Sequence, residues 1–277
     1  MLIGSLFSGI GGLELGLERA TGGRTIWQVE KNEYARAVLA KHWPQAKRYN
    51  DVGEVGAHNL QSVDILCGGF PCQDISFAGK GAGITGSRSG LWTEYARIIR
   101  ELRPRYVVVE NVPALLCRGM GRVLADLAAF GYDAIWDCVP AAAVGAHHRR
   151  DRVFVVAYAN SIRIHPKQKF REKCKSEAKP SRHGQKRSVA DAARDNVEAQ
   201  RKKKKEQKAQ QPRRGCGLFR RSLEQADSWP PEPDVGRVVD GVPHRVDRLR
   251  ALGNAVVPQV AEVIGRVVMD IDLHRGA

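Results

Sequence analysis

Along residues 1–158, short apolar runs alternate with stretches whose apolar positions recur every three or four residues. "LIGSLF" (2–7), "TIWQVE" (25–30) and "VDILCGG" (63–69) read as strands. "YVVVENV" (106–112) is a continuous β-branched run of the kind buried on both faces of a sheet. Between them, "LELGLERA" (13–20), "EYARAVLAKHW" (33–43) and "GLWTEYARIIRELR" (90–103, stopped by Pro104) carry helical spacing, and a further helix is expected around 120–130. Strands alternating with helices imply βαβ units and a largely parallel sheet. The last two apolar runs, "YDAIWDCV" (132–139) and "RVFVVAY" (152–158), have only a short connection and are expected to pair antiparallel at one edge. The predicted fold class is α/β: a doubly wound, mostly parallel, Rossmann-like sheet with an antiparallel edge pair.

From about Asn160 to Asp227 the pattern dissolves: aliphatic residues thin out and neither period survives. "SWPPEPDVG" (228–236) marks a return to order, and "RVDRLRALGNAVVPQVAEVIGRVVMDI" (245–271) ends in a helix with Val260, Ile264, Val267 and Val268 on one face. The expected organisation is an α/β domain at 1–158, a small basic and partly disordered region at 159–236, and a segment at 237–277 that returns to the first domain.

Charge sharpens this division. Of the net +15, the stretch from Ser161 to Pro230 carries +13 and the rest of the chain only +2. Charge concentrated this way, with "RKKKKEQK" at 201–208, suits a polyanion, most often nucleic acid; a solvated charged loop is the alternative reading. With 43% hydrophobic residues there is enough apolar material for a real core. No run of ~18 apolar residues suggests a membrane span, and the N-terminus lacks the basic region and cleavage site of a signal peptide, so an intracellular protein is expected. Cys67, Cys72, Cys117, Cys138, Cys174 and Cys216 show neither CxxC nor zinc spacing, which fits free thiols and leaves room for a nucleophilic one.

Three features carry candidate chemistry. Gly9, Gly11 and Gly12 stand between a strand and a helix, and Glu30 ends the next strand, where a carboxylate can bond a ribose. The spacing is not GxGxxG, so either a nucleoside cofactor other than a dinucleotide or a structural tight turn suits it. Cys72 follows Pro71 at the carboxyl end of a strand, displayed where Cys67 is packed. Glu110 and Asn111 end the next strand, and His147, His148, Arg149, Arg150 and Arg152 precede an edge strand.

Together these residues resemble the DNA (cytosine-5)-methyltransferases. "LFSGIGG", Glu30, "NDVGEV", "GGFPCQDIS", "ENVPALL", "HHRRDRVF" and "RLRALGNAVVP" occur in that family's order, over residues 1–158 and 230–270. The resemblance implies a class I methyltransferase fold that uses S-adenosylmethionine and no metal. It makes Cys72 the nucleophile on C6 of a flipped-out cytosine, Glu110 the partner of the N3 edge, and Arg152, with Arg150 beside it, the base-contacting arginine. It places Phe7, Gly9, Gly11, Glu30, Asp51, Pro71, Asn254 and Val256 around the cofactor. It makes double-stranded DNA the substrate, contacted by Gln73, Arg88, Lys202, Lys203, Lys204 and Lys205, and 159–236 a short target-recognition region.

A monomer in the cytoplasm of a prokaryote or of a phage host, close to the nucleoid, is expected, with a cognate restriction endonuclease as a compatible partner. The chain departs from the family at His148, where glutamine is common, and in the shortness of its recognition region. Methylation of structured RNA, a non-catalytic DNA-binding relative and a nicotinamide-dependent oxidoreductase are the competing readings. The last leaves Pro-Cys-Gln and the arginines without a role.

Overall fold

Five strands, β1 (Leu2–Leu6), β2 (Arg24–Val29), β3 (Lys47–Tyr49), β4 (Ile65–Gly68) and β5 (Tyr106–Asn111), run parallel. β6 (Tyr132–Pro140) and β7 (Asp151–Ala159) complete one seven-stranded sheet in the order β3-β2-β1-β4-β5-β7-β6. As expected from the brief connection, β7 lies antiparallel to β6, with Val139 opposite Arg152; it also lies antiparallel to β5, with Glu110 opposite Phe154. The computed structural model describes residues 1–71, 90–160, 219, 222–223 and 245–274, all within one compact unit. Cys72, Gln73, Arg88, Lys202, Lys203, Lys204 and Lys205 lie outside the described residues.

The helices cover both faces. α1 (Gly12–Thr21) and α2 (Glu33–His42) follow the first two strands, and α3 (Leu91–Leu102) leads into β5. α4 (Leu115–Arg118) and α5 (Met120–Ala129) lead into β6, and α6 (Arg245–Asn254) and α7 (Pro258–Leu273) end the fold. Every residue of β5 is buried, and its side chains alternate between two cores. Val107 and Val109 join Trp92, Tyr95 and Leu127 of α3 and α5, whereas Tyr106 and Val108 join Leu13 and Leu17 of α1 and Val260, Ile264 and Val267 of α7. A strand buried on both sides cannot show alternation, which is why it reads as a solid β-branched run.

α7 packs along α1 so closely that a Cβ on Gly16 would stand 2.3 Å from the Pro258 carbonyl oxygen and 2.4 Å from Ala261 Cβ. Its far end is tied to β5 by Asp272, which accepts from Tyr106 Oη (2.7 Å) and Arg105 Nη2 (2.8 Å). The helical face expected from sequence (Val260, Ile264, Val267, Val268) is fully in the core, together with Phe219. β3 was not anticipated: "KRY" carries no apolar period, and only its pairing with β2 makes it a strand.

Candidate active site

The carboxyl ends of β1, β2, β4 and β5 open into one cleft of about 460 Å³. In doubly wound sheets this is where ligands bind, because the strand order reverses there and the loops diverge. The wall from β1 is Phe7 and the glycine turn. Gly9 and Gly11 have φ of 56° and 86°, left-handed values that glycine adopts freely, and Phe7 shares that region at 54°. Phe7 holds this uncommon conformation beside the Tyr95 ring, 6.3 Å between centroids.

The second wall is acidic. Glu30 stands just past β2, and its carboxylate accepts from Gly9 N–H and Asn32 N–H, both at 2.7 Å. Asn32 in turn caps α2 through Ala35 N–H (2.9 Å), so the turn after β2 is built locally and delivers the acid to the glycine loop. Asp51 accepts from Gly53 N–H (2.9 Å) and lies 3.3 Å from Lys31 Nζ. The Gly53 amide, helped by Lys31, holds its carboxyl below the usual range. Phe7, Glu30, Asp51, Pro71 and Asn254 all line this cleft, which has the apolar walls and paired acids that suit a nucleoside.

On the floor, Glu110 ends β5 and meets Arg152 of β7 across the antiparallel pair, Oε1 to Nε 2.9 Å. Burial pushes the Glu110 carboxyl up to about 7, against the opposing pull of Arg152 and then Arg150. The acid has room because its neighbour is glycine: a Cβ on Gly69 would come within 2.4 Å of Glu110 Oε2. Asn111, also buried, donates from Nδ2 to the Phe70 carbonyl (3.1 Å) and accepts from Val112 N–H (2.9 Å). It thereby staples the Gly69–Phe70–Pro71 turn to the end of β5. The Phe70 ring is buried against Trp92, 5.4 Å between centroids, which fixes the turn from beneath. Pro71, the last described residue before Cys72, reaches the cleft beside Glu110 and Arg152.

Three of the expected residues, Gly11, Arg150 and Val256, do not line this cleft. Arg150 adopts φ 36° and donates to the carbonyls of Gly253 (2.6 Å) and Ala255 (2.5 Å), clasping the junction of α6 and α7. With Gly11 and Val256 it lines a second cleft of about 650 Å³ on the other side of Ile10, along with Trp43, His147 and His148. Gly69 went unassigned in the sequence although its type is the signal: glycine at a strand end beside a buried acid. Glu14 was also missed. It falls on the inward face of α1, three residues before buried Leu17, where an acid is out of pattern.

Comparison with known proteins agrees with this geometry. The family of C-5 cytosine-specific DNA methylases matches residues 1–225, and the chain belongs to that family. It is 39% identical over 165 residues to the type II methyltransferase M2.BsuMI of Bacillus subtilis, covering 57% of this chain and 42% of the relative. To M.HhaI of Haemophilus parahaemolyticus it is 31% identical over 163 residues, covering 57% and 49%. A crystal structure of an E. coli prophage-encoded protein described as a DNA modification methyltransferase superposes with a TM-score of 0.50 at 26% identity, over 58% of this chain and 47% of that one. The chain thus spans about half the length of the curated relatives it matches.

Proposed function

We propose that this chain methylates C5 of cytosine in double-stranded DNA with S-adenosylmethionine as donor. The observation that carries the reading is the convergence at one cleft of the Glu110–Arg152 pair, the stapled Pro71 turn and the acids Glu30 and Asp51. Glu30 suits the ribose hydroxyls and Asp51 the adenine amine, with Phe7 and Pro71 as apolar walls and Asn254 closing the site from α6. When bound, S-adenosylmethionine supplies an electrophilic methyl group.

C5 of cytosine is too electron-poor to accept that group unaided. Cys72, mounted directly after Pro71, adds its thiolate to C6, and the electron pair released makes C5 nucleophilic. Glu110 in its protonated form donates to N3 and offsets the charge that develops there, while Arg152 holds the carboxyl in place. C5 would then take the methyl group as its bond to the cofactor's sulfonium sulfur breaks, leaving the neutral thioether S-adenosylhomocysteine. Loss of the C5 proton to solvent would let the C5–C6 double bond re-form and expel the Cys72 thiolate.

A base inside a duplex is out of reach of this floor, so it must leave the stack at a cost of roughly a few kcal/mol, offset by backbone contacts from the basic region that contains Lys202 to Lys205. The type II names of the relatives favour a place in a restriction–modification pair, in which an endonuclease of the same specificity refuses the methylated product.

The test is transfer of labelled methyl from S-adenosylmethionine to duplex DNA, run beside structured RNA. Duplex DNA is labelled, Cys72→Ala abolishes the signal, and DNA carrying 5-fluorocytosine traps a covalent adduct because fluorine blocks the final elimination. Full activity of Cys72→Ala would sink the mechanism, and label on RNA alone would sink the substrate.

A further inference from the structure

Beneath the glycine turn lies a small cavity of about 40 Å³ that the mechanism above does not use. Phe7, Gly9, Gly69, Glu110 and Asn254 wall both this cavity and the main cleft, so the two spaces adjoin. Glu14, on the first turn of α1, also lines the cavity, and it is completely buried. Neither of its carboxylate oxygens makes a hydrogen bond of good geometry, and the side chains nearest to them as donors, Ser5 and Ser8, are neutral, although a buried carboxylate ordinarily collects two or three well-placed donors.

We propose that Glu14 is the counter-charge for the α-ammonium group at the amino-acid end of the bound cofactor, with the free N–H groups of the first turn of α1 receiving the adjoining carboxylate. This rests on the reading that S-adenosylmethionine is the donor. The cofactor is a nucleoside joined to a zwitterionic amino acid, and the two spaces match those halves: paired acids for the ribose and adenine in the large one, an unpartnered acid in the small one. A cavity of this size takes one ammonium group and little else. The helix start complements it, because unpaired N–H groups and the positive end of the dipole favour an anion beside the cation that Glu14 holds.

The groups facing Glu14 leave it without another cation. The Ser5 and Ser8 hydroxyls sit beneath it, Ser8 donating to Ser5 Oγ (2.9 Å), but both are neutral and bring no charge. Glu18 on the same helix spends its carboxylate on Thr25 N–H (2.7 Å) and Trp43 Nε1–H (2.9 Å). From β4 comes the Cys67 thiol, which burial and the Glu14 charge both push upward, and from β5 the Glu110 carboxyl. Burial accordingly raises Glu14 to about 7, partly eased by Ser5, its own backbone N–H and Ser8. An incoming ammonium group favours the ionised form, so ligand binding must displace a proton below that pH. Affinity therefore falls as the solution is acidified.

The experiment is calorimetric titration of the full chain with S-adenosylhomocysteine, which keeps the ammonium group but cannot react, and with 5′-methylthioadenosine, which lacks the amino-acid end. The wild-type protein binds S-adenosylhomocysteine about tenfold more weakly at pH 6 than at pH 8, with proton release at the lower pH, whereas 5′-methylthioadenosine shows neither effect. Glu14→Gln weakens S-adenosylhomocysteine by about tenfold or more, flattens its pH dependence and leaves 5′-methylthioadenosine unchanged. Equal pH dependence for the two probes, or unaltered S-adenosylhomocysteine binding by Glu14→Gln, overturns the inference while the cofactor reading stands. No binding of either probe by the wild-type protein overturns the cofactor reading and this inference with it.

Discussion

Burial lifts Glu110 and Glu14 to about 7, yet their surroundings assign them opposite tasks. Glu110 has a guanidinium beside it and a glycine across from it, so it is a held acid that can keep or give up a proton near neutrality. The sign follows from the raised value: the protonated form dominates below about 7 and is lost above it. The rate of methyl transfer is therefore expected to decline on the alkaline side of pH 7. Glu110→Gln is expected to be slower by about 10²–10⁴-fold and to lack that alkaline decline. Single-turnover transfer measured from pH 6 to 9 checks this, and an unchanged alkaline limb in Glu110→Gln would assign it to another group. The identity of Glu110 was legible in "ENV", but the space it occupies was not. Room for a carboxylate depends on the missing Cβ of Gly69, just past the neighbouring strand, a relation between residues 41 positions apart.

Among the elements, the pairing of α1 with α7 decides whether the sheet has a second core. Leu13 and Leu17 from one helix and Val260, Val263, Ile264, Val267 and Val268 from the other fill the same layer, each worth roughly 1.5–3 kcal/mol when buried. Their approach is set at Gly16, where any side chain meets the Pro258 carbonyl and Ala261. Gly16→Ala is expected to lower stability by about 1–3 kcal/mol through overpacking, despite the better helix propensity of alanine, and urea unfolding measures it. A gain in stability would show that the helices can part without cost. Strong period or strong β-branching made β5, α3 and α7 readable. β3 was not, because three polar residues carry no pattern and only the neighbouring strand makes them extended. α6 shows the opposite failure. It was not read as a helix of its own although Val246, Leu249 and Leu252 are helically spaced; those three are exposed and none of its residues is buried.

At the scale of the whole molecule, charge and architecture are separated along the chain. The described fold is built from segments with little net charge, whereas the excess lies between Ser161 and Pro230. If Lys202 to Lys205 each neutralise a phosphate, replacing all four by glutamine should reduce the slope of log affinity against log salt by about 3.6, evenly across sequences. Filter binding at several salt concentrations tests this, and loss confined to one sequence would make those lysines part of specific readout. Composition revealed this segregation, but no periodicity could indicate which positions touch DNA.

The late position of α7 has a consequence for synthesis. The helix that seals one face of the sheet leaves the ribosome about 100 residues after β7, a lag of roughly 5–20 s at ordinary elongation rates. Until then Ile3, Ile65, Tyr106 and Phe154 face an unfinished layer. The nascent sheet must wait for α7, so a chain stopped between the basic segment and that helix has a sticky half-core, a natural client for chaperones and proteases, rather than a smaller working fold.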